Sequence, residues 1–532
     1  MALNRRQHEA YAILALTDLN KEPKPFHRVQ SLDLSIDLSR ENILEIANPG
    51  FVEQKADIPV VSLSLSGYQI AQKIDSTTSA LHWLALLANG ASSGDTSATG
   101  RTRVFIVGNP KQIKLTSERT INDAFNLYPV DSPKMDATCD ILVPVRGASS
   151  NSLEATQYVA NAYTTSLSLS FSVDGFAEWS ADLEADNRRQ FQGDSAAITA
   201  KSYTATGGET SVDLGENADE VFLVFKNGEE LDSSEWSHSS GSSTVTLSSA
   251  LSEGDIVRVV YKPSSAPNWT NYVLTTSPGD QGAIRRGELD IYLITDTTKA
   301  RIVEGFVPSI SGSNVEASAG TAWFIVNGEP VLVRSTSDLT TATSADDYVY
   351  LHFDPDTGTL DLVSQASPIT DENEYILIGQ VNSDASDIED QRQFRRNRLS
   401  LIQSASFSID LSREVINELG RNHAVSRSLN KPVTISVDVT AIDHSNEIVS
   451  LLSGQDTSAT QVDFSSMSNK LGIQVNLYSS TDRTDANKMV VFEAIDMSVA
   501  SESLSISTGG SGEISFTLNG DTFIALECAS VE

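Results

Sequence analysis

At 532 residues and 39% hydrophobic content, the chain is long enough for three or four domains with cores of their own and too apolar for a disordered polymer. A net charge of −34, from 71 acidic and 37 basic residues, excludes tight wrapping of nucleic acid, which needs clustered Lys and Arg against phosphate. No apolar run approaches the ~18 residues of a membrane helix. Cys139 and Cys528 make neither a disulfide framework nor a zinc site, which suits a reducing cytoplasm.

Arg5 and Arg6 precede a six-residue apolar run, Tyr11-Ala12-Ile13-Leu14-Ala15-Leu16. It is short for a signal peptide, and Thr17-Asp18 offers no small-residue cleavage site, so the run is expected to be the first strand. From Ser31, Leu32, Leu34, Ile36 and Leu38 alternate with polar neighbours, the period of a half-buried strand. Ser39 occupies an N-cap position before Ile43, Leu44 and Ile46, which predicts a short helical turn ended by Pro49-Gly50. A strand follows at Val61, Leu63 and Leu65, then a helix over Ala80–Leu87.

The same order returns later. Ser35-Ile36-Asp37-Leu38-Ser39-Arg40-Glu41 recurs as Ser408-Ile409-Asp410-Leu411-Ser412-Arg413-Glu414, an offset of 373 (408 minus 35). Leu86-Leu87 with Asp95–Thr99 matches Leu451-Leu452 with Asp456–Thr460. Asn126-Leu127-Tyr128 matches Asn476-Leu477-Tyr478, and Ser166–Ser170 matches Ser503–Ser507. The offset falls to 361, 350 and 337 along these anchors, the drift of loop trimming between two copies of one domain. Pro59 and Pro432 keep the offset of 373, but the strands after them are out of phase by one, which requires a bulge or a one-residue gap.

The division that follows is copy A at 1–194, a small all-β unit at 195–265, and copy B at 266–532 interrupted by an inserted β unit at 298–394. The small unit turns at Asn227-Gly228 and the insert at Asn327-Gly328, both strong hairpin signals. Ala12–Leu16 with Thr17-Asp18 resembles Asp290–Ile294 with Thr295-Asp296, which places the insert at a hairpin tip, where insertions are tolerated. The insert is therefore expected to be removable by joining Asp296 to Phe394. Residues 195–265 hold 11 acidic and 4 basic residues and 297–395 hold 16 and 5, so −18 of the −34 lies outside the duplicated copies.

Catalytic chemistry finds little support. Gly90-Ala91-Ser92-Ser93-Gly94 spells a nucleophile elbow but follows a helix, where the elbow must lie between strand and helix. Asp354-Pro355-Asp356-Thr357-Gly358 lacks the third oxygen ligand and distal Glu of a calcium loop and reads as a turn. No metal or cofactor is expected, and no enzymatic activity. The repeated set Asp37, Arg40, Glu41 and Asp410, Arg413, Glu414 suits either an internal turn anchor or a contact between subunits.

A β-rich domain with one helix, duplicated around the repeated S-I-D-L-S-R-E segments and decorated with small β modules, resembles the tail-tube proteins of long-tailed bacteriophages. The resemblance covers about 360 residues. It implies a mainly β chain of two tandem tube-like sandwich or barrel domains, each with one helix, plus two small all-β accessory domains. It also implies a structural virion protein made in the host cytoplasm, with no membrane partner. Three chains would form a pseudo-hexameric ring, stacked on itself, bound to other tail proteins and passed by double-stranded DNA without specific binding. The lumen-facing candidates are Ser31, Asp33 and Ser35 in copy A and Ser404, Ser406 and Ser408 in copy B, short side chains with no Lys among them. A baseplate hub of the same fold and a glycan-binding adhesin remain as alternatives.

Overall fold

The computed structural model describes residues 13–17, 22–37, 40–44, 51–56, 60–70, 80–87, 104–107, 112–115, 124–126, 138–147, 152–185, 187–265, 267, 283–335, 337–399, 401–416, 426–429, 433–442, 447–453, 470–505 and 512–528. Copy A begins with β1 (Leu14–Thr17), β2 (Lys24–Pro25), β3 (Val29–Asp37), β4 (Arg40–Leu44), β5 (Phe51–Ala56), β6 (Val60–Tyr68) and helix α1 (His82–Leu87). It continues through β7 (Val104–Val107), β8 (Gln112–Leu115), β9 (Ala124–Asn126), β10 (Thr138–Arg146), β11 (Leu153–Ser172), β12 (Glu178–Ala185) and β13 (Asn187–Gln192).

A six-stranded sheet follows, made of β14 (Thr199–Thr204), β15 (Ser211–Lys226), β16 (Glu229–Glu230), β17 (Trp236–His238), β18 (Ser242–Leu247) and β19 (Ile256–Pro263). After β20 (Leu289–Ile294) come β21 (Arg301–Gly305), β22 (Pro308–Ser311), β23 (Asn314–Ala317), β24 (Gly320–Val326) and β25 (Glu329–Ser335). Next are β26 (Leu339–Ala342), β27 (Tyr348–Asp354), β28 (Thr359–Gln365), β29 (Tyr375–Val381) and β30 (Ile388–Asp390). Copy B resumes with β31 (Arg396–Arg398), β32 (Ile402–Asp410), β33 (Arg413–Ile416), β34 (Ser426–Leu429), β35 (Thr434–Ile442) and helix α2 (Glu447–Ser453). It ends with β36 (Leu471–Tyr478), β37 (Lys488–Ser505), β38 (Glu513–Gly520) and β39 (Thr522–Glu527). The chain is mainly β, with two short α-helices among the described residues.

The first layer is one antiparallel sheet in the order β3-β6-β12-β11-β32-β35-β38-β37. Its first four strands belong to copy A. Its last four are their counterparts in copy B, in the same order. The second layer has one sheet per copy, β2-β1-β10-β11-β13 and β31-β20-β36-β37-β39. Strands β11 and β37 serve both layers, and each carries an irregularity where it passes between them, at Thr164/Ser166 and Val499/Ser501. Between the layers lies a single large core that includes Leu63, Leu169 and Phe407 from the first layer and Ile141, Leu293 and Val475 from the second.

Register settles the phase problem after the prolines. Ile36 stands opposite Val61, and Ile409 opposite Ile435, so the second strand of each copy is offset by 374 (435 minus 61). A one-residue gap keeps both apolar rows inward. The expected helical turn after Ser39 is instead a hairpin: β4 pairs with β5, and β33 with β34 in copy B. Ile43, Val415 and Ile416 are β-branched, and cross-strand pairing supplies the backbone partners that a lone turn would lack. The match of Asn126 with Asn476 is also corrected, because the partner of β1 is β10 and the partner of β20 is β36. Ser168 and Ser503, not Ser166 and Ser503, hold equivalent places, an offset of 335 that keeps the same face.

The outer faces of the second layer are covered too. Leu14, Leu16, Leu142 and Tyr158 pack against Ile198, Leu223, Phe225 and Val260 of the small β unit. Val491, Ile495, Ile524 and Leu526 pack against Val303, Trp323 and Leu332 of the insert. Segments between α1 and β10 cross over as well: β7 pairs with β39, and β8 extends the insert by pairing with β25. The insert is thus fused into the layer beneath it, and the expected clean excision would uncover that apolar face.

Candidate assembly and channel surface

The first-layer sheet is two-faced because its strands alternate. One register row runs through Ser31, Ser66, Ser180, Ser168, Ser408, Ser436, Asn519 and Ser498, one residue from each strand. Neighbouring rows place Asp33 opposite Ser64, Asp182 opposite Ser166, and Ser406 opposite Asp438. Among the described residues this face carries Asp, Glu, Ser, Thr and Asn, with Val60, Tyr68 and Ile442 at strand ends, and no Lys or Arg. The short side chains bond across strands. The Ser64 hydroxyl donates to Asp182 at 2.6 Å, that of Ser166 to the same carboxylate at 2.8 Å, and Ser31 and Ser66 share a bond of 2.7 Å. Ser168 and Ser180 share another of 2.7 Å.

The residues predicted to line a channel lie on this face. Ser31, Asp33, Ser35, Ser404 and Ser408 are exposed, and Ser406 is half-buried. The opposite face is the core, and beyond it stand the accessory units.

The seam between copies is the strand pair β11·β32, with Leu167 opposite Ile409 and Leu169 opposite Phe407. All four are at most 2% exposed. Phe171 meets Phe407 edge-on at 6.2 Å between ring centroids, and Phe407 meets Phe523 at 5.8 Å. Leu411 donates its N–H to Thr165 O across the same seam. The sheet's two ends are different. Among the described residues β3 pairs only with β6, and Ser498–Ser505 of β37 only with β38. There Ile36 is 42% exposed and Leu504 51%.

The repeated charged set is divided by the structure. Asp37 and Asp410 are exposed at equivalent ends of β3 and β32, and Asp410 accepts the Ser412 N–H at 2.9 Å, which anchors the turn. Arg413 reaches the other copy, its guanidinium 5.4 Å from the centre of the Tyr163 ring, while Glu414 is exposed. Arg40 and Glu41 lie on β4, paired with Ala56 and Lys55.

Two buried ion pairs fasten the accessory units, and neither was singled out in the sequence. Asp140 on β10 accepts from Arg258 of the small unit at 2.7 Å, from the Tyr158 hydroxyl at 2.6 Å and from the Asn161 N–H at 2.9 Å. Burial, and then the Asp140 carboxylate, pushes the Tyr158 hydroxyl well above its usual pKa. Arg301 of the insert pairs with Glu493 on β37, and Trp323 Nε1 donates to the same carboxylate at 3.3 Å. The available signal was a lone charge inside an apolar run, as in Val490-Val491-Phe492-Glu493-Ala494-Ile495.

Gly90–Gly94 lies outside the described residues. At Asp354 the carboxylate accepts the Asp356 N–H at 2.8 Å and the Thr357 hydroxyl at 2.7 Å, a self-contained turn. Among the described residues no group of three or more His, Cys, Asp or Glu is placed to hold a metal ion, and no helix is long and apolar enough to cross a membrane.

No protein-family model matches the chain, and no curated protein does. A solved structure to which it is similar is the anti-feeding prophage cap, a tube-terminating cap determined by cryo-electron microscopy. Identity is 15%, over 36% of this chain and 100% of that one, with a TM-score of 0.20. At that score the likeness carries no argument.

Proposed function

We propose that this chain is a structural subunit of a phage-tail-like tube, in which three chains join edge to edge and their polar sheet faces line a conduit for DNA. The observation that carries the reading is the seam within the chain. Copy A already joins copy B by laying β11 against β32, and the edges left over, β37 and β3, are the counterparts of those two strands. A head-to-tail contact of this kind generates a ring when its rotation closes. Closure would remove both unpaired edges, the liability of any long β-sheet.

Dimensions agree. One chain's eight strands would make a barrel filled by its own side chains. Three chains at about 4.8 Å per strand have a perimeter of ~115 Å before tilt, or ~37 Å across; side chains reach about 5 Å inward on each side. The clear bore of ~27 Å exceeds a duplex of roughly 20 Å with its grooves. A lining without Lys or Arg makes no counterion-releasing contact with phosphate, so it does not hold the DNA. No catalysis, cofactor or membrane contact belongs to this reading.

The test is the mass of the purified protein, with electron microscopy of the same sample. Rings of three chains with a pseudo-sixfold bore, alone or stacked, are expected. A monomer that persists at high concentration, or a ring of six chains, would overturn the proposal.

A further inference from the structure

The seam inside the chain and the edges left open are built from equivalent strands, so they can be compared position by position. Leu167 stands opposite Ala181, which leads through Leu65 to Leu32. Glu502 stands opposite Phe516, which leads through Val439 to Ala405, the counterpart of Leu32 at the offset of 373. Glu502 therefore holds in copy B the place that Leu167 holds in copy A. It sits in the apolar row, between Ser501 and Ser503 of the polar face, and it is half-buried. Beside it, at the place of Leu169, is the half-exposed Leu504.

We propose that Glu502 is a gate on joining between chains, acting against the β3 edge of a second copy of this chain. The inference rests on the tube reading above. The register of the internal seam, carried to the open edges, sets Leu504 opposite Leu34 and Glu502 opposite Ile36 of the neighbour. The second copy is indicated by continuity with that seam and by the exposed apolar side chains Ile36 and Leu504, one on each of these two edges. In the closed seam the equivalent pair is Leu167 and Ile409, both 2% exposed. An inward-pointing charge on an edge strand blunts pairing, because the carboxylate loses water without gaining a partner. Single edges then join poorly, and closure of a whole ring, where each chain is held at two edges, is favoured over open chains.

The experiment compares Glu502→Leu, Glu502→Gln and Leu504→Asp with the unaltered chain by sedimentation over a concentration series, with thermal melting as the check on folding. Glu502→Leu is expected to lower the concentration at which chains join by about tenfold or more, the effect of one added apolar contact, and Glu502→Gln by less. Leu504→Asp is expected to abolish joining. If Glu502→Leu joins at the unaltered concentration while Leu504→Asp still blocks, the edge reading stands and the gate is wrong. If Leu504→Asp joins as the unaltered chain does, the edge-to-edge reading itself fails.

Discussion

The seam between the two copies is a closed joint, and the pair of open edges presents the equivalent strands without one. In the seam, Leu167, Leu169 and Phe171 lie against Ile409, Phe407 and Ala405, and all are sealed from water. At the open edges the corresponding strands offer Glu502 and Leu504 on one side and Leu32, Leu34 and Ile36 on the other. The difference shows that duplication did not copy the joint. The covalent half was free to become a hydrophobic core, because its partner is always present. In the proposed assembly the other half has to stay soluble until a partner arrives, and its side chains are wetter and once charged.

The largest expected effect lies in the closed half. Phe407→Ala empties a fully buried site shared with Phe171 and Phe523, and should cost about 3–5 kcal/mol of stability. Chemical denaturation of the purified chain measures it; a loss below ~1 kcal/mol would mean that the seam is not a core. Leu34→Ala is the matching change at the open edge, where the side chain is only half-buried. It should lower the stability of the single chain by no more than ~1 kcal/mol while raising the joining concentration several-fold, as sedimentation would show. Equal losses at the two positions would erase the contrast.

The smallest effect lies away from both joints and serves as a control. In the small β unit, a hydrogen bond from the Asn227 side chain, aided by the Ser252 N–H and Lys226, holds Asp255 at about 2 against an ordinary 3.8. A depressed carboxylate contributes stability above its ordinary pKa, and that contribution is lost as pH falls through the folded value. The unit should therefore be insensitive to pH from 7 to about 4 and weaken between about 4 and 2, and Asp255→Asn should flatten that fall. Tryptophan fluorescence of Trp236, which packs against this unit's core, follows it. An unchanged acid profile in the variant would remove Asp255 from the account.

Much of this was legible in the residues. The turns Asn227-Gly228 and Asn327-Gly328 show φ of 50° and 84°, and 53° and 81°, the left-handed values that Asn-Gly accepts. The helices at His82–Leu87 and Glu447–Ser453 follow from their apolar spacing. The repeated S-I-D-L-S-R-E segment marks equivalent strands, and alternation after Ser31 separates a polar from an apolar face.

What failed was non-local. Ser39 and Ile43 suit a turn of helix as well as the hairpin β4·β5, and only the partner strand decides between them. The crossing of β7 to β39 leaves no periodicity of its own in the chain. Asn126-Leu127-Tyr128 shares identity with Asn476-Leu477-Tyr478 without structural equivalence, because pairing with β1 picks out β10. The docking pairs Asp140–Arg258 and Arg301–Glu493 join residues 118 and 192 positions apart, and only the fold brings them together.

Strand β11 runs for 20 residues and β37 for 18, and each spends one half in the first layer and the other in the second. A load on the polar face is therefore not carried by hydrogen bonds and side-chain contact alone. It passes along an unbroken backbone from one layer to the next, as through a rib shared by hull and deck. The two sheets cannot slide past each other without bending that rib at its irregularities, Val159/Ala162 and Thr164/Ser166 in β11 or Ala494/Met497 and Val499/Ser501 in β37. Shear between the layers is thereby stiffened, and whatever compliance the two layers possess is concentrated at two short places in the chain, 159–166 and 494–501.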